Sequence, residues 1–377
     1  METKEGRALQ GGCSNPKVSS LNGIKAIAMI MLFWWHSPIK PQEPDIGARM
    51  CEIFFVMSGF LVGINHWDVH TDNVFSLSGQ YWWKKIFKVW PLHCIAFIID
   101  CSSSIIRYGS EFITRDNAIN AVINLGLIQA WSNDSKLFFS FNGATWFLSA
   151  LLFCYMMSFF VISILREYKK PLFVFSIIVG VRVLCELLNT RWGWNGITFN
   201  YHVSPIIRLL EFTAGLAMTP LFFCLNRKIK DKNTYLVLFT VLEVVVIALY
   251  VICIVLKNAT WIRGYFVLTA CALIFIFAFN RGCVCKLLSA KPFSWFSSIQ
   301  LNFFILHQAV IHFFARCFPN AINSPLLLTI IQFLVVARMS IFYQKVIEKK
   351  ASKGLELLYT RVRMFVKKET RRETTNV

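Results

Sequence analysis

Two ionisable side chains, Lys25 and His36, interrupt an otherwise apolar run from Leu21 to Ser37, LNGIKAIAMIMLFWWHS. Eleven steps at 3.6 residues per turn make almost three whole turns, so on a helix both project from one face, about 16 Å apart along the axis. An ionisable group inside a membrane helix is costly unless it meets a polar cavity or a partner, so two on one face mark a functional interior. Imidazole, with an ordinary pKa of about 6.5, is suited to take a proton from a hydroxyl at neutral pH. The plainer reading is a lysine snorkelling at one helix end and a histidine at the far interface. Spacing alone leaves both readings open.

Further along, Arg49 to Leu61 reads RMCEIFFVMSGFL, in which the Ser58-Gly59 pair lets a second helix or a ligand approach the backbone closely. Lys84-Lys85-Ile-Phe-Lys88-Val-Trp-Pro91 then opens the third helix. Lys85 and Lys88 are three apart, hence on one face, and two cations at a membrane rim either suit phosphate groups or only anchor topology. Glu52 and Arg208 either line the cavity of the first helix or form a structural intramembrane pair. His307, in a Leu-His-Gln stretch, is a further candidate for that cavity, whereas His312, His202, His93, His66 and His70 read as interfacial or structural. No HExxH, P-loop, GxSxG or dinucleotide fingerprint is present, so proteolysis, ATP hydrolysis and serine-hydrolase chemistry lack support.

The elements that must position these residues are membrane helices. Of 377 residues 56% are hydrophobic, 36 are Phe, 12 are Trp and only 16% are charged, far too apolar for a soluble domain. Apolar stretches near spanning length fall at 20–38, 50–66, 86–106, 144–165, 172–190, 205–225, 234–256, 262–280, 294–314 and 325–345. The expectation is an all-α polytopic membrane protein with about ten transmembrane helices. The stretch 118–131 is too short to span and reads as an interfacial or re-entrant piece in the longest loop.

With the N-terminus inside, cytoplasmic segments carry 26 of the 39 Lys and Arg, the opposite loops 9 and the spans 4. That asymmetry predicts both termini in the cytoplasm of a multi-pass protein of the plasma or inner membrane. It also accounts for the net charge of +19 without nucleic acid as a partner. The expected organisation is a cytoplasmic segment at 1–19, a ten-helix domain at 20–345 and a basic cytoplasmic tail at 346–377 suited to anionic membrane lipid. The segment before the first helix is polar, and the apolar run after it lacks a small-residue cleavage site, which argues against a removed signal peptide. Twelve Cys are scattered singly and mostly in apolar runs, where they act as small hydrophobes. Cys283-Val-Cys285 without His or further Cys nearby is a weak metal signal, so no metal is expected.

Taken together, Lys25 with His36, EIFFVMSGFL at 52–61 and KKxxKxxP at 84–91 resemble the integral-membrane acyltransferase family 3, typified by O-acetyltransferases of bacterial surface polysaccharides. The resemblance continues in TWFLSALL at 145–152, RLLEFTAG at 208–215 and the stretch from Ser297 to His307-Gln308. It runs from about residue 20 to 345. It implies an acetyl-CoA (acyl-CoA) donor and, as acceptor, a polysaccharide or lipid-linked glycan outside the cytoplasm. His36 then maps to the catalytic histidine, Lys25 to the basic residue eleven before it, and Lys85 and Lys88 to the cations near the donor. Glu52, Ser58, Trp146, Arg208 and His307 are the candidates for lining the substrate cavity. Two features depart from the family: Lys replaces the usual Arg-x-x-Arg and loses its bidentate fork, and Ala150-Leu151 stand where a Glu often follows the Trp-x-Leu-Ser element. A rival reading is a permease or flippase with Lys25, His36, Arg182, Arg208 and Arg338 along its path, against which stands the absence of an inverted repeat.

Overall fold

A computed structural model describes residues 18–40, 46–168, 170–192, 201–229, 235–256, 265–319 and 321–375, with side chains for all of these except 190–192 and 362–375. Within them the chain is helical and holds no strand. Helix α1 is Ser20–His36, α2 Ile46–His66, α3 Val74–Tyr108, α4 Arg115–Leu125, α5 Trp146–Glu167, α6 Pro171–Trp192 and α7 Pro205–Ala217. Then follow α8 Thr219–Lys228, α9 Leu236–Val255, α10 Phe266–Ala278, α11 Cys283–Leu288, α12 Lys291–Cys317, α13 Pro325–Phe342 and α14 Glu348–Thr375. A π turn, Tyr343–Ile347, joins α13 to α14. Pro220 has no N–H to give to the preceding turn, and the helix breaks there into α7 and α8.

Among the described residues, eight helical stretches are long and apolar enough to cross a bilayer, with α7 and α8 forming one of them. The protein is an all-α polytopic membrane protein. Each of the ten expected spans contains a helix, but α1 has 17 residues and α10 only 13. Thirteen residues rise about 20 Å, short of a full crossing. The third helix also differs from expectation. It begins at Val74 because the Asn73 side chain accepts the Ser76 N–H at 2.8 Å. Lys84, Lys85 and Lys88 therefore stand well inside a 35-residue helix rather than at its opening.

The stretch 118–131 folds back along α3. Trp90 Nε1 donates to the Leu125 carbonyl and the His93 ring bonds the Asn124 carbonyl, each at 3.0 Å. Trp90 lies eighteen residues before the end of α3, about 27 Å along its axis, so the loop dips deep beside the helix as a re-entrant element. The basic segment after residue 345 is helical too. Its Ser352 hydroxyl donates to the Phe87 carbonyl at 3.2 Å, and Tyr359 packs on Trp83 and Phe87.

Two sets of contacts position α1 and α2. At the start of α1 the Ser20 N–H donates to Asn280 Oδ1 at 2.9 Å and the Ser19 and Ser289 hydroxyls meet at 3.0 Å. The loop they grip is itself fixed by Glu243, buried on α9, whose carboxylate accepts the N–H groups of Gly282, Val284 and Cys285 at 3.0, 2.9 and 3.2 Å. A carboxylate is favoured at a helix N-terminus, here that of α11. Helices α2 and α7 touch backbone to backbone, since a Cβ on Gly59 would collide with the Phe212 carbonyl and one on Gly215 with the Val56 carbonyl. The small Ser58-Gly59 step thus admits a helix rather than a ligand on its glycine side.

Gly215→Val should prevent that approach and reduce the folded, monodisperse fraction in detergent chromatography severalfold. Gly79 in α3 faces open space, so Gly79→Ala should leave the elution profile intact and raise stability by up to about 1 kcal/mol. A normal profile for Gly215→Val would show that the two backbones need not touch.

Candidate active site

A cavity of about 340 Å³ opens between α1, α2, α3, α5 and α12. Lys25 and Lys85 line it, together with Ser58, Asn65, His66, Tyr81, Tyr155, Gln300 and an apolar end formed by Phe54, Phe147 and Phe304. Lys85 Nζ sits over the rings of both Tyr81 and Tyr155, 4.7 Å from each centroid. No carboxylate is among the lining residues. Among the described residues, neither lysine has an acid within ion-pair distance. Two cations without a counter-ion in a low-dielectric pocket create a strong preference for an anion. Lys88 does not enter the cavity: one turn farther along α3 it is exposed and faces Glu348, 4.0 Å away.

His36 is at the other end of α1. Its ring lies 5.2 Å from that of His307 on α12, so α1 and α12 bring the two histidines together. His307 Nδ1 is 2.6 Å from the Phe304 carbonyl, which only accepts, so the Nδ1 carries the proton. Nε2 of His307 is left as a buried acceptor with no partner among the described residues. The backbone around His307 is clamped on both sides: Asn142 Nδ2 donates to the Ile305 carbonyl at 2.7 Å, and the Ala144 N–H donates to Gln308 Oε1. One helical turn beyond, Asp100 on α3 bonds His312 Nδ1 and Arg316, each at 2.7 Å. The cavity and the histidine pair are neighbours through Phe304, whose ring lines the first and lies 5.6 Å from His307.

Glu52 and Arg208 belong to a different assembly. Glu211 accepts Arg208 at 2.7 and 2.8 Å and Arg182 at 2.9 and 3.0 Å; Arg182 also reaches Glu186 at 3.0 Å and Glu52 at 3.4 Å, and Arg49 pairs with Glu52. Three guanidiniums and three carboxylates from α2, α6 and α7 thus balance in a buried network. Trp146 stands against it, its ring 5.7 Å from the Arg208 guanidinium and 4.9 Å from His202. His202, in the turn before α7, accepts from Arg208 through Nδ1 at 3.1 Å; burial and then the Arg208 charge hold its pKa well below the ordinary value. Of the cavity candidates, Ser58 lines the lysine cavity and His307 meets His36. Glu52, Trp146 and Arg208 are drawn off into the network because each buried charge there has found an opposite one. The pairing of Arg182 and Arg208 also removes two of the five residues that a transport path would have needed.

The family model described as an acyltransferase domain, acyltransferase family 3, matches residues 18–343. The chain belongs to this family. Searches of curated proteins and of solved structures gave no match. The matched region of this membrane acyltransferase contains the lysine cavity and the histidine pair entire.

Three groups of this acyltransferase escaped the sequence reading. Tyr81 lies four residues before Lys85 and so shares its face, a signal that was available. Tyr155 comes from another helix and carried none. Asp100 is an acid within the apolar part of α3, and that alone marked it for a partner; the partners, His312 and Arg316, lie more than two hundred residues away.

His307→Phe should preserve the ring packing between Phe304 and His36 while removing the Nε2 acceptor. The expected result is a folded acyltransferase whose kcat falls about tenfold to a hundredfold, the worth of one charge-assisted hydrogen bond of about 1.5–3 kcal/mol. The donor KM should stay unchanged. A change in KM with normal kcat would assign His307 to donor binding rather than to a role shared with His36.

Proposed function

We propose that the chain transfers an acetyl group from acetyl-CoA to a hydroxyl of a polysaccharide or lipid-linked glycan outside the cytoplasm. One observation carries the reading: an acid-free cavity holding Lys25 of α1 and Lys85 of α3 lies next to, but separate from, the pair formed by His36 of α1 and His307 of α12. The lysines suit the phosphates of the donor, with Lys88 guiding it at the rim. As point charges they tolerate several phosphate orientations where a guanidinium fork would impose one.

The thioester end of the donor then points towards Phe54, Phe147 and Phe304. His36 takes the proton of the acceptor hydroxyl as its oxygen attacks the thioester carbon. The carbon–sulfur bond breaks as the tetrahedral intermediate collapses, and the thiolate leaves with CoA and takes up a proton. Before transfer, one nitrogen of His36 must carry no proton, and the Nε2 of His307 is an acceptor that can hold the N–H of the other. Lys25, some three turns below His36, acts on the donor and not on the oxyanion.

His36→Ala should leave the protein inserted and folded yet lower acetyl transfer from labelled acetyl-CoA by about 10²- to 10⁴-fold. Lys85→Gln should instead raise the acetyl-CoA KM about tenfold to a hundredfold with little change in kcat, because a phosphate contact serves ground and transition state alike. Lys88→Gln should do less than Lys85→Gln. Near-normal transfer by a well-expressed His36→Ala protein would end the assignment of the base.

The charge distribution supports a sidedness in which the lysine cavity faces the cytoplasm and His36 the outer half of the membrane. With the native Cys removed, a single Cys between α1 and α2 or near Asn133 should react with an impermeant reagent in intact cells. One near Lys230 or in the tail should not. Outside labelling of the tail would reverse the topology and the direction of transfer.

A further inference from the structure

A second cavity, of about 580 Å³, lies between α3, α12 and α13 with its continuing π turn. Its walls are apolar, Leu92 and Ile95 from α3, Leu306 from α12 and Phe342 from α13 among them, but Arg338 and Lys345 stand at its edge. The two cations are seven residues apart, two turns on one face, about 10 Å along the axis. Neither takes part in the lysine cavity or the histidine pair.

Arg338 is the anomaly. It falls on a stripe, Leu327, Ile330, Leu334, Arg338, Phe342 and Val346, whose other members are all exposed apolar side chains facing where lipid must lie. Arg338 is exposed on that stripe as well, and among the described residues no acid or hydrogen-bond partner meets it. A guanidinium at that place is expensive unless something negative comes from the bilayer itself. A π turn, a form that recurs at functional sites, falls between Phe342 and Glu348 and sets Lys345 and Val346 at the cavity edge.

The geometry points to a binding site for an anionic phospholipid: its phosphate is held between Arg338 and Lys345, and an acyl chain lies in the groove against Leu92, Ile95 and Leu306. The guanidinium reaches along the helix towards the headgroup level of Lys345 and makes a forked contact with phosphate oxygens. The groove gives the chain a fixed seat that ordinary annular lipid lacks, and basic pockets between transmembrane helices suit such headgroups. The site tethers α13 to α3 and α12, the helices that carry Lys85 and His307.

The full-length protein in detergent, given phosphatidylglycerol and phosphatidylcholine with identical chains, tests this by native mass spectrometry. Wild type should retain phosphatidylglycerol in preference, by about fivefold for each cation. Arg338→Gln with Lys345→Gln should bind the two lipids equally, whereas Arg338→Lys should keep the preference. Ile95→Trp, which fills the groove and leaves both cations, should lose the bound lipid. If Arg338→Gln does not fold, Lys345→Gln and Ile95→Trp read the same two features. Equal retention of both lipids by wild type, a preference that survives neutralisation, or displacement of phosphatidylglycerol by inorganic phosphate would each overturn the assignment.

Discussion

A charge cannot be left in the hydrocarbon of a bilayer without a partner, and this constraint orders the structure. Where α2, α6 and α7 meet, three arginines and three glutamates satisfy one another, with Glu211 at the centre holding both Arg182 and Arg208. Such a network gives less net stability than its short distances suggest, because each ion has been taken out of water. What it imposes is registry. Sliding or rotating any of the three helices would strand a charge, at a cost of about 3–5 kcal/mol for a single broken pair. The glycine contacts of α2 with α7 then set how close those helices lie, and the network sets how they are phased.

Against that frame the charges without protein partners stand out. Lys25 and Lys85 are held by geometry, Lys85 between two phenol rings, yet no acid among the described residues neutralises them. The tyrosine faces partly compensate the ammonium and still leave it available to a stronger anion. Arg338 has the same character on the lipid side of the last span. The paired charges build the protein, and those lacking a carboxylate among the described residues are the ones left available to an anion from outside the chain.

The fold was legible in the sequence to the extent that hydropathy decides it. Long apolar runs fix where helices lie, and Lys25 and His36 did share a face, since one meets the cavity and the other a histidine on the same neighbouring helix. Hydropathy did not show that α3 extends back to Val74, because the segment 74–85 mixes Ser, Gly, Gln and Lys with its apolar residues and its start is set by the Asn73 cap. Nor could it separate Glu52 and Arg208 from the cavity. Both the network and a substrate site demand charged residues inside spans, and only knowing that Glu211 and Arg182 lie opposite distinguishes the two. Glu211 follows Arg208 by three residues, one helical turn, so the pairing was half visible. Sequence put Lys85 and Lys88 together on one face at a rim; a spacing of three leaves a difference of about 60° around the helix, and in the structure Lys85 lines the cavity while Lys88 is exposed.

The aromatic layer between the lysines and the histidines follows from the same constraint. A continuous polar path from the Lys25 cavity to His36 would let water and ions cross the bilayer. Phe54, Phe55 and Phe304 all pack on Phe147 there, with ring centroids 6.2, 4.5 and 5.0 Å from it. On the proposed reaction, the phosphates of the donor stop at the lysines and only its acyl end has to enter the layer. A thioester carries no charge, and acetyl is small and nearly apolar at its methyl, so it is the part of the donor that such a barrier can admit. On the same proposal, excluding water at this point would protect the thioester from hydrolysis and strengthen a hydrogen bond from the acceptor hydroxyl to His36. The layer that keeps the membrane tight is then also the layer that selects what is transferred across it.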